Sequence, residues 1–223
     1  MKRCGIRLCS FLICLAFPLA SLHAGQLEKG TAAMKKGDYK SAYQLLYPLA
    51  EEGNAAAQDC IGTMLNEGLG VSKDELLAAG WYEKSADQGY ARAQHALGIM
   101  YVNGQGVAKD HLKGLSLIAQ AAQQGLAIAQ QDAYDLYLEL AKEDNIVASH
   151  NVGLMCLQGW AGEVNPYNCL GALETAAKGG FKKSGTALVQ IYSEGKYGID
   201  PDEEKAAFWE KYAETQQEEP AAE

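Results

Sequence analysis

The stretch LGIMYVNGQGVAKD, Leu97 to Asp110, decides how this chain is read. It starts as a helix and ends on Gly104-Gln105-Gly106, with Lys109 close behind. A glycine-rich turn followed by a lysine also opens a phosphate-binding loop, but such a loop stands once, between a strand and a helix. Here the stretch returns. Shifted by 36 residues, IGTMLNEGLGVSKD (Ile61 to Asp74) sets Gly62, Gly68, Gly70, Val71 and Asp74 on Gly98, Gly104, Gly106, Val107 and Asp110. The following segment repeats too: KSADQGYARAQ (Lys84 to Gln94) is echoed by QAAQQGLAIAQ (Gln120 to Gln130). A loop that recurs at a fixed period with no strand before it is scaffold.

The period extends along the chain. Ala50, Ala86, Ala122, Ala141, Ala177 and Ala213 are separated by 36, 36, 19, 36 and 36 residues. A fixed period of this length marks a repeat array in which each unit buries its apolar face on the next. The predicted fold class is all-α: an α/α superhelical solenoid of stacked antiparallel helix pairs. The first helix of a pair is expected over about 57–66 and 93–103. Ala57 with Gly62, and Ala93 with Gly98, let a neighbouring helix approach closely; a mid-helix glycine costs about 1 kcal/mol against alanine, which the closer packing must offset. Gly68 and Gly104 suit left-handed C-caps, and Asp74 and Asp110 suit N-caps of the second helix. Asn165-Pro166 and Asp200-Pro201 read as a capping side chain with proline at the first helical position. Trp81, Tyr82, Phe208 and Trp209 on second helices are expected in the core. The 19-residue step removes 17 residues from one unit, so Ala129 to Asn145 should form a single helix, or a helix with a stub, with a change of curvature there.

The chain has 223 residues, 48% of them hydrophobic and 21% charged, enough for a core. Residues 1–24 read as a secretory signal peptide: Lys2, Arg3 and Arg7 precede the apolar run Leu8 to Ala20, too short to span a membrane, and Ser21 to Ala24 ends in a small residue. Cleavage after Ala24 places the protein in the periplasm or outside the cell; an uncleaved N-terminal anchor is the alternative. Cleavage removes three of the 19 basic residues and none of the 28 acidic ones, leaving a net charge of −12. Such a surface repels phosphates, which argues against nucleic acid or anionic lipid and favours a basic or polar partner. Cys60, Cys156 and Cys169 remain. Cys156 and Cys169 could face each other across a helical hairpin as a disulfide, or be two buried small hydrophobes; Cys60 lies in an apolar helical stretch and reads as core.

With these residues in hand, the pattern resembles the Sel-one-like repeat, an α/α repeat related to tetratricopeptide repeats. AAQDCIGTMLNEGLGVSKD (Ala56 to Asp74) and RAQHALGIMYVNGQGVAKD (Arg92 to Asp110) carry it most closely. ASHNVGLMCLQGWAGEVNP (Ala148 to Pro166) is weaker, and so is SGTALVQIYSEGKYGIDP (Ser184 to Pro201), where Val189 replaces the helix glycine. The opening Ala32 to Gln58 looks like the tetratricopeptide-type pair that often starts such arrays. The expected organisation is a repeat array over about 25–213, in sub-blocks of about 25–126 and 146–213, followed by an acidic disordered tail, 214–223.

The resemblance speaks to fold rather than to chemistry. His95 and His150 occupy the same repeat position, so a shared zinc site is conceivable, but a polar position on the first helix is the plainer reading. Ser184-Gly185 and Ser193-Glu194-Gly195 lack the strand–turn–helix setting of a nucleophile. No catalytic residue, metal or cofactor is expected. One branch of the family has cysteine pairs in every repeat and reported penicillin binding; this chain lacks that recurrence, and the activity is not carried over. The resemblance implies a non-catalytic interaction scaffold or adaptor of the bacterial cell envelope, holding a partner protein or peptide in the superhelix groove, with no membrane insertion after cleavage. The alternatives are a periplasmic immunity protein that neutralises a secreted toxic lipase-type effector and, third, a cell-wall or β-lactam hydrolase. The loop aromatics Trp160, Tyr167 and Tyr197 are candidate partner contacts or, alternatively, pack locally within their loops.

Overall fold

The computed structural model describes residues 16–215. Most of the expected leader, 1–24, and all but two residues of the expected tail lie outside them. Those two, Glu214 and Thr215, are helical, so helix continues into the segment expected to be disordered. The described residues form eleven α-helices and no strand. They are α1 (Ala16–Lys35), α2 (Tyr39–Glu51), α3 (Ala55–Glu67), α4 (Glu75–Ala86), α5 (Ala91–Asn103), α6 (His111–Gln123), α7 (Ala127–Lys142), α8 (Ile146–Leu157), α9 (Pro166–Lys178), α10 (Lys182–Glu194) and α11 (Glu203–Thr215), with a 3-10 turn at Lys196–Gly198. The chain divides into two compact units at Leu117/Ile118, inside α6, so the break lies earlier than 126 and residues 127–145 go with the second unit.

Each unit stacks antiparallel pairs in chain order. In the first, α1 packs on α2, α2 on α3, α3 on α4 and α4 on α5; in the second, the run is α7 to α11. One register of the second helices fills the core: Leu46 and Tyr82 in the first unit, and Ile118, Leu173 and Trp209 in the second, none more than 4% exposed. Trp81 and Phe208 precede Tyr82 and Trp209 by one residue, about 100° around the helix, and cannot share that face. Trp81 is half-buried and packs against the edge of the first core, while Phe208, 55% exposed, is not a core residue.

The recurring loop explains its own glycines. Gly68 and Gly104 cap α3 and α5 in the left-handed conformation, φ 69° and 72°. Gly106 also has positive φ, 65°, and a Cβ there would lie 2.2 Å from the Glu75 carbonyl oxygen at the start of α4. A Cβ at Gly70 would meet Tyr39 Cβ, at the start of α2, at 2.6 Å. The loop of one pair is thus seated on the second helix of the pair before, and glycine is what fits. Asp74 and Asp110 then accept the Leu77 and Lys113 N–H groups, each at 2.9 Å. A further repeating bond locks the pairs: Gln58, Gln94 and Gln130 donate through Nε2 to the carbonyls of Ala50, Ala86 and Ala122 at 3.0, 3.4 and 3.2 Å.

Two expectations about caps part company. Asn165 caps α9, with Pro166 at its first turn. Asp200 does not cap α11; Asp202 does, accepting Lys205 N–H at 3.0 Å. The loop is one residue longer here: Asp202 N–H closes it onto the Tyr192 carbonyl, as Asp110 N–H closes onto Tyr101, both at 2.9 Å. Asp200 instead accepts the Tyr167 hydroxyl at 3.1 Å.

The shortened unit is one continuous helix, α7. It starts as a first helix, with Gln130 bonded to Ala122, and ends as a second helix, with Ala141 in the periodic alanine position. Asn145 caps α8 as Asn54 caps α3.

Candidate functional site

First helices of successive pairs lie side by side, and in the second unit α8 and α10 leave a cleft of about 660 Å³ between them. One wall is His150 and Leu154 of α8 with Gln158, the residue that caps its end, spaced four apart and therefore on one face. The other wall is α10, with Lys182 and Lys183 at its start and Thr186, Ala187 and Gln190 farther along. Tyr197, from the 3-10 turn, closes the end. Its φ is +59°, a backbone state that non-glycine residues seldom hold, and its ring is 41% exposed. Lys183 Nζ lies over the Phe181 ring at 5.6 Å, and that ring leans on His150 at 4.9 Å. No carboxylate is among the residues lining this cleft.

His150 Nδ1 lies 2.8 Å from Ser184 Oγ, tying α8 to α10. A serine hydroxyl on an imidazole invites comparison with a nucleophile and its base. Register argues otherwise. Ser184 falls in the small-residue series Ala57, Ala93, Ala129 and Ala148, all at helix–helix contacts and no more than 2% exposed, and Ser184 itself is fully buried. A hydroxyl sealed between helices meets no substrate, so the pair is a packing device.

The first unit has a second depression, of about 350 Å³, on its second helices. It is an aromatic ladder. Tyr43 stacks on Tyr47 at 5.1 Å, Tyr47 meets Trp81 edge-on at 5.9 Å, and Lys84 Nζ sits 4.2 Å over Trp81. Leu76 and Leu77 beside it are 71% and 55% exposed.

Of the aromatics singled out in the sequence, Tyr197 lines the cleft. Tyr167 is bonded to Asp200, and Trp160, half-buried in the α8–α9 loop, is not among the lining residues. Cys156 and Cys169 are joined, with Cα atoms 5.5 Å apart, and clip the end of α8 to the start of α9. Cys60 is buried, and burial pushes its thiol pKa up to about 11, which leaves it unreactive at neutral pH. His95 and His150 fall in different units. Among the described residues no group of three or more metal-ligating side chains occurs, and no helix is long and apolar enough to cross a membrane. Sequence reasoning missed Lys182, Lys183, Gln158 and Gln190. The available signal was register, since Thr186 and His150 share one repeat position and a helix face follows from it.

The Sel1 repeat model matches residues 20–54, 55–90, 91–126 and 185–213, more than half of the chain, and leaves 127–184 unmatched. No curated protein matches the chain. Among solved structures, it is similar to a Sel1 repeat protein from Oxalobacter formigenes, 27% identical, covering 85% of this chain and 82% of that one with a TM-score of 0.47. It is also similar to c5321, a protective antigen of uropathogenic Escherichia coli with an SLR fold, 28% identical, covering 88% of this chain but 39% of that one, TM-score 0.46. The immunity protein Pa5087 from Pseudomonas aeruginosa is 19% identical, with 86% and 81% covered and a TM-score of 0.43. The matched repeats, in a chain built of stacked helix pairs, place this protein in the Sel1 repeat family.

Proposed function

We propose that this protein is a non-catalytic interaction module of the bacterial cell envelope that holds a partner protein in the cleft between α8 and α10. Sel1 repeat proteins generally mediate protein–protein interaction. The observation that carries the reading here is the cleft itself, lined by side chains of two neighbouring helices, Lys182, Lys183, Thr186 and Gln190 among them exposed, and closed by an exposed, conformationally costly tyrosine. Export is supported by the basic and apolar pattern of residues 1–24 and by the Cys156–Cys169 bridge, a bond that persists in oxidising compartments.

A photo-crosslinking side chain at Thr186, inside the cleft, and another at Glu210, exposed on α11, separate this reading from its rivals. Illumination in living cells, followed by mass spectrometry, should give one adduct from Thr186 and none of that mass from Glu210. Equal labelling from both positions, or none from Thr186, defeats the cleft as the binding surface. If the adduct is a secreted hydrolytic effector, the role is neutralisation; if it is a resident envelope protein, the role is that of an adaptor.

A further inference from the structure

Gly80 stands in the middle of α4 and is exposed. A mid-helix glycine is costly beside alanine, and elsewhere in the first unit close packing offsets that cost. A Cβ at Gly62 would meet the Tyr82 ring at 2.8 Å, and one at Gly114 would meet the Gly98 carbonyl oxygen at 2.7 Å. A Cβ at Gly80 would meet nothing within 4 Å among the described residues. At about 100° per residue, Lys73, Leu76, Leu77, Glu83, Lys84 and Asp87 all fall within about 60° of Gly80, which is therefore a notch at the centre of one outward face. Leu76 and Leu77, 71% and 55% exposed, flank the notch, and the Tyr43–Tyr47–Trp81 ladder extends the face onto α2. An offset of 91 residues lays Gly80 on Gly171, another exposed glycine with open space around it, in α9. There the flanking positions hold Tyr167, bonded to Asp200, and Asn168 in place of Leu76 and Leu77. The first unit alone surrounds the notch with leucine.

We propose that this face pairs two copies of the chain, α4 against α4 and antiparallel, about a two-fold axis at Gly80. Such an axis sets the first half of one α4 against the second half of the other. The two Gly80 backbones meet where a side chain would hold the helices apart. Leu77 lies on the same flank of α4 as Trp81 and Lys84, and across the axis it packs on the indole ring and the lysine stem of the other copy. Charge selects the direction. Lys73 and Asp87 stand seven residues either side of Gly80, both near the midline of the face, so each Lys73 meets the other copy's Asp87. A parallel pair would set lysine on lysine and aspartate on aspartate. Lys73 already bonds Glu75 at 2.8 Å, and its ammonium group has three donors to share. The face of α2 and α4 is about 18 Å long and two helices, about 20 Å, wide. Each copy can thus bury about 600 Å², the lower end of the range for specific interfaces. This surface is separate from the α8–α10 cleft, and the pairing stands whether or not that cleft binds.

Sedimentation equilibrium of the purified chain, taken up to about 100 μM, tests this at the micromolar affinities of weak specific pairs. The mass should rise with concentration from one chain to two. Gly80→Gln puts a good helix former into open space, so it should raise the melting temperature of the dilute chain. The same variant should weaken pairing at least about tenfold, as changes at the centre of an interface do. Gly171→Gln, the matching change in the second unit, should raise stability and leave pairing as it was. A stabilised variant that no longer pairs separates lost contact from a damaged fold. Lys73→Glu and Asp87→Lys should each pair poorly alone, and an equimolar mixture should recover most of the original association, because each copy then presents the charge that the other needs. A chain that keeps the mass of one copy throughout overturns the proposal. So does a Gly80→Gln variant that pairs as tightly as before, or a mixture no better than its components.

Discussion

Gly106 and Tyr197 occupy the same place in the repeat, one in each unit, and both are held at positive φ, 65° and 59°. At Gly106 the loop is driven so close to α4 that no Cβ fits. At Tyr197 the loop is one residue longer, and a tyrosine side chain stands there and lines a cleft. The same contrast runs through the other loops. Gly70 abuts Tyr39, while its counterpart in the second unit, 91 residues on, is Ala161, which carries a Cβ and packs on the second core. The first unit is held by loops interlocked through glycine. The second has lost that interlock and carries a disulfide and side-chain bonds such as Tyr167–Asp200 in its place.

The largest effect should come from breaking the interlock. Gly106→Ala puts a methyl into a backbone carbonyl in a left-handed conformation, and should cost about 3 kcal/mol. Gly162→Ala, with φ 80° and open space, should cost only about 1 kcal/mol. Urea unfolding of the two variants, followed by far-ultraviolet circular dichroism, gives both numbers. Equal losses would mean that backbone conformation alone matters and that the loop contact holds nothing.

The reciprocal experiment reduces the bridge. Its cysteines are 13 residues apart, and closing a loop of that size stabilises by about 3 kcal/mol, most of it through the unfolded chain. Cys156→Ser/Cys169→Ser, or reductant, should lower the urea midpoint reported by Trp209 and leave the one reported by Trp81 unchanged, each read in a variant that keeps only that tryptophan. A matching shift at Trp81 would show that the two units do not differ in what holds them.

Most of this fold could be read from the sequence because its rules are local and periodic. The caps at Asp74 and Asn165, the left-handed glycines, and the single helix forced by the 19-residue step each depend on spacing alone. Phe208 was misjudged, and Trp81 reaches only the edge of the core, because hydrophobicity says that a residue can be buried, while register says which of two neighbours is. The cap at Asp200 failed because an insertion moves every contact after it, and an Asp-Pro pair looks like a cap whether or not a helix follows at once. The candidate site was barely legible. Lys182 and Lys183 read as ordinary surface charges until the opposite helix is known, and the bond from His150 to Ser184 joins residues 34 apart.

A smaller effect tests the charge side of the comparison. Asp59 is buried, and its pKa is raised by that burial, with Arg92 opposing. Its Oδ2 has no hydrogen-bond partner, since the 3.5 Å approach of Arg92 lies outside bonding geometry. A carboxyl whose folded pKa is raised contributes stability below its unfolded pKa and loses it as pH climbs through the folded value. Asp59→Asn should therefore stabilise the first unit at pH 7, by about 1 kcal/mol, and make little difference near pH 3. If the asparagine variant is less stable at pH 7, the ion pair outweighs the burial, and the first unit needs a carboxylate where the second has His150.

The smallest effect lies where the period breaks. Gly53, Gly89, Gly125 and Gly180 follow the second helices with φ between 79° and 99°, and the residue in that position after α7 is Asp144, with φ 59°. Aspartate tolerates the left-handed region better than most residues but still at a cost. Asp144→Gly removes that cost and adds freedom to the unfolded chain, so the two terms oppose each other and the net gain should be about 0.5 kcal/mol, read as a rise in the urea midpoint of the second unit. A measured loss would mean that the Asp144 side chain holds the junction between α7 and α8. In that case the shortened helix would be a specified joint of the second unit, maintained by its own contacts, and the glycine rule that governs every other junction would stop there.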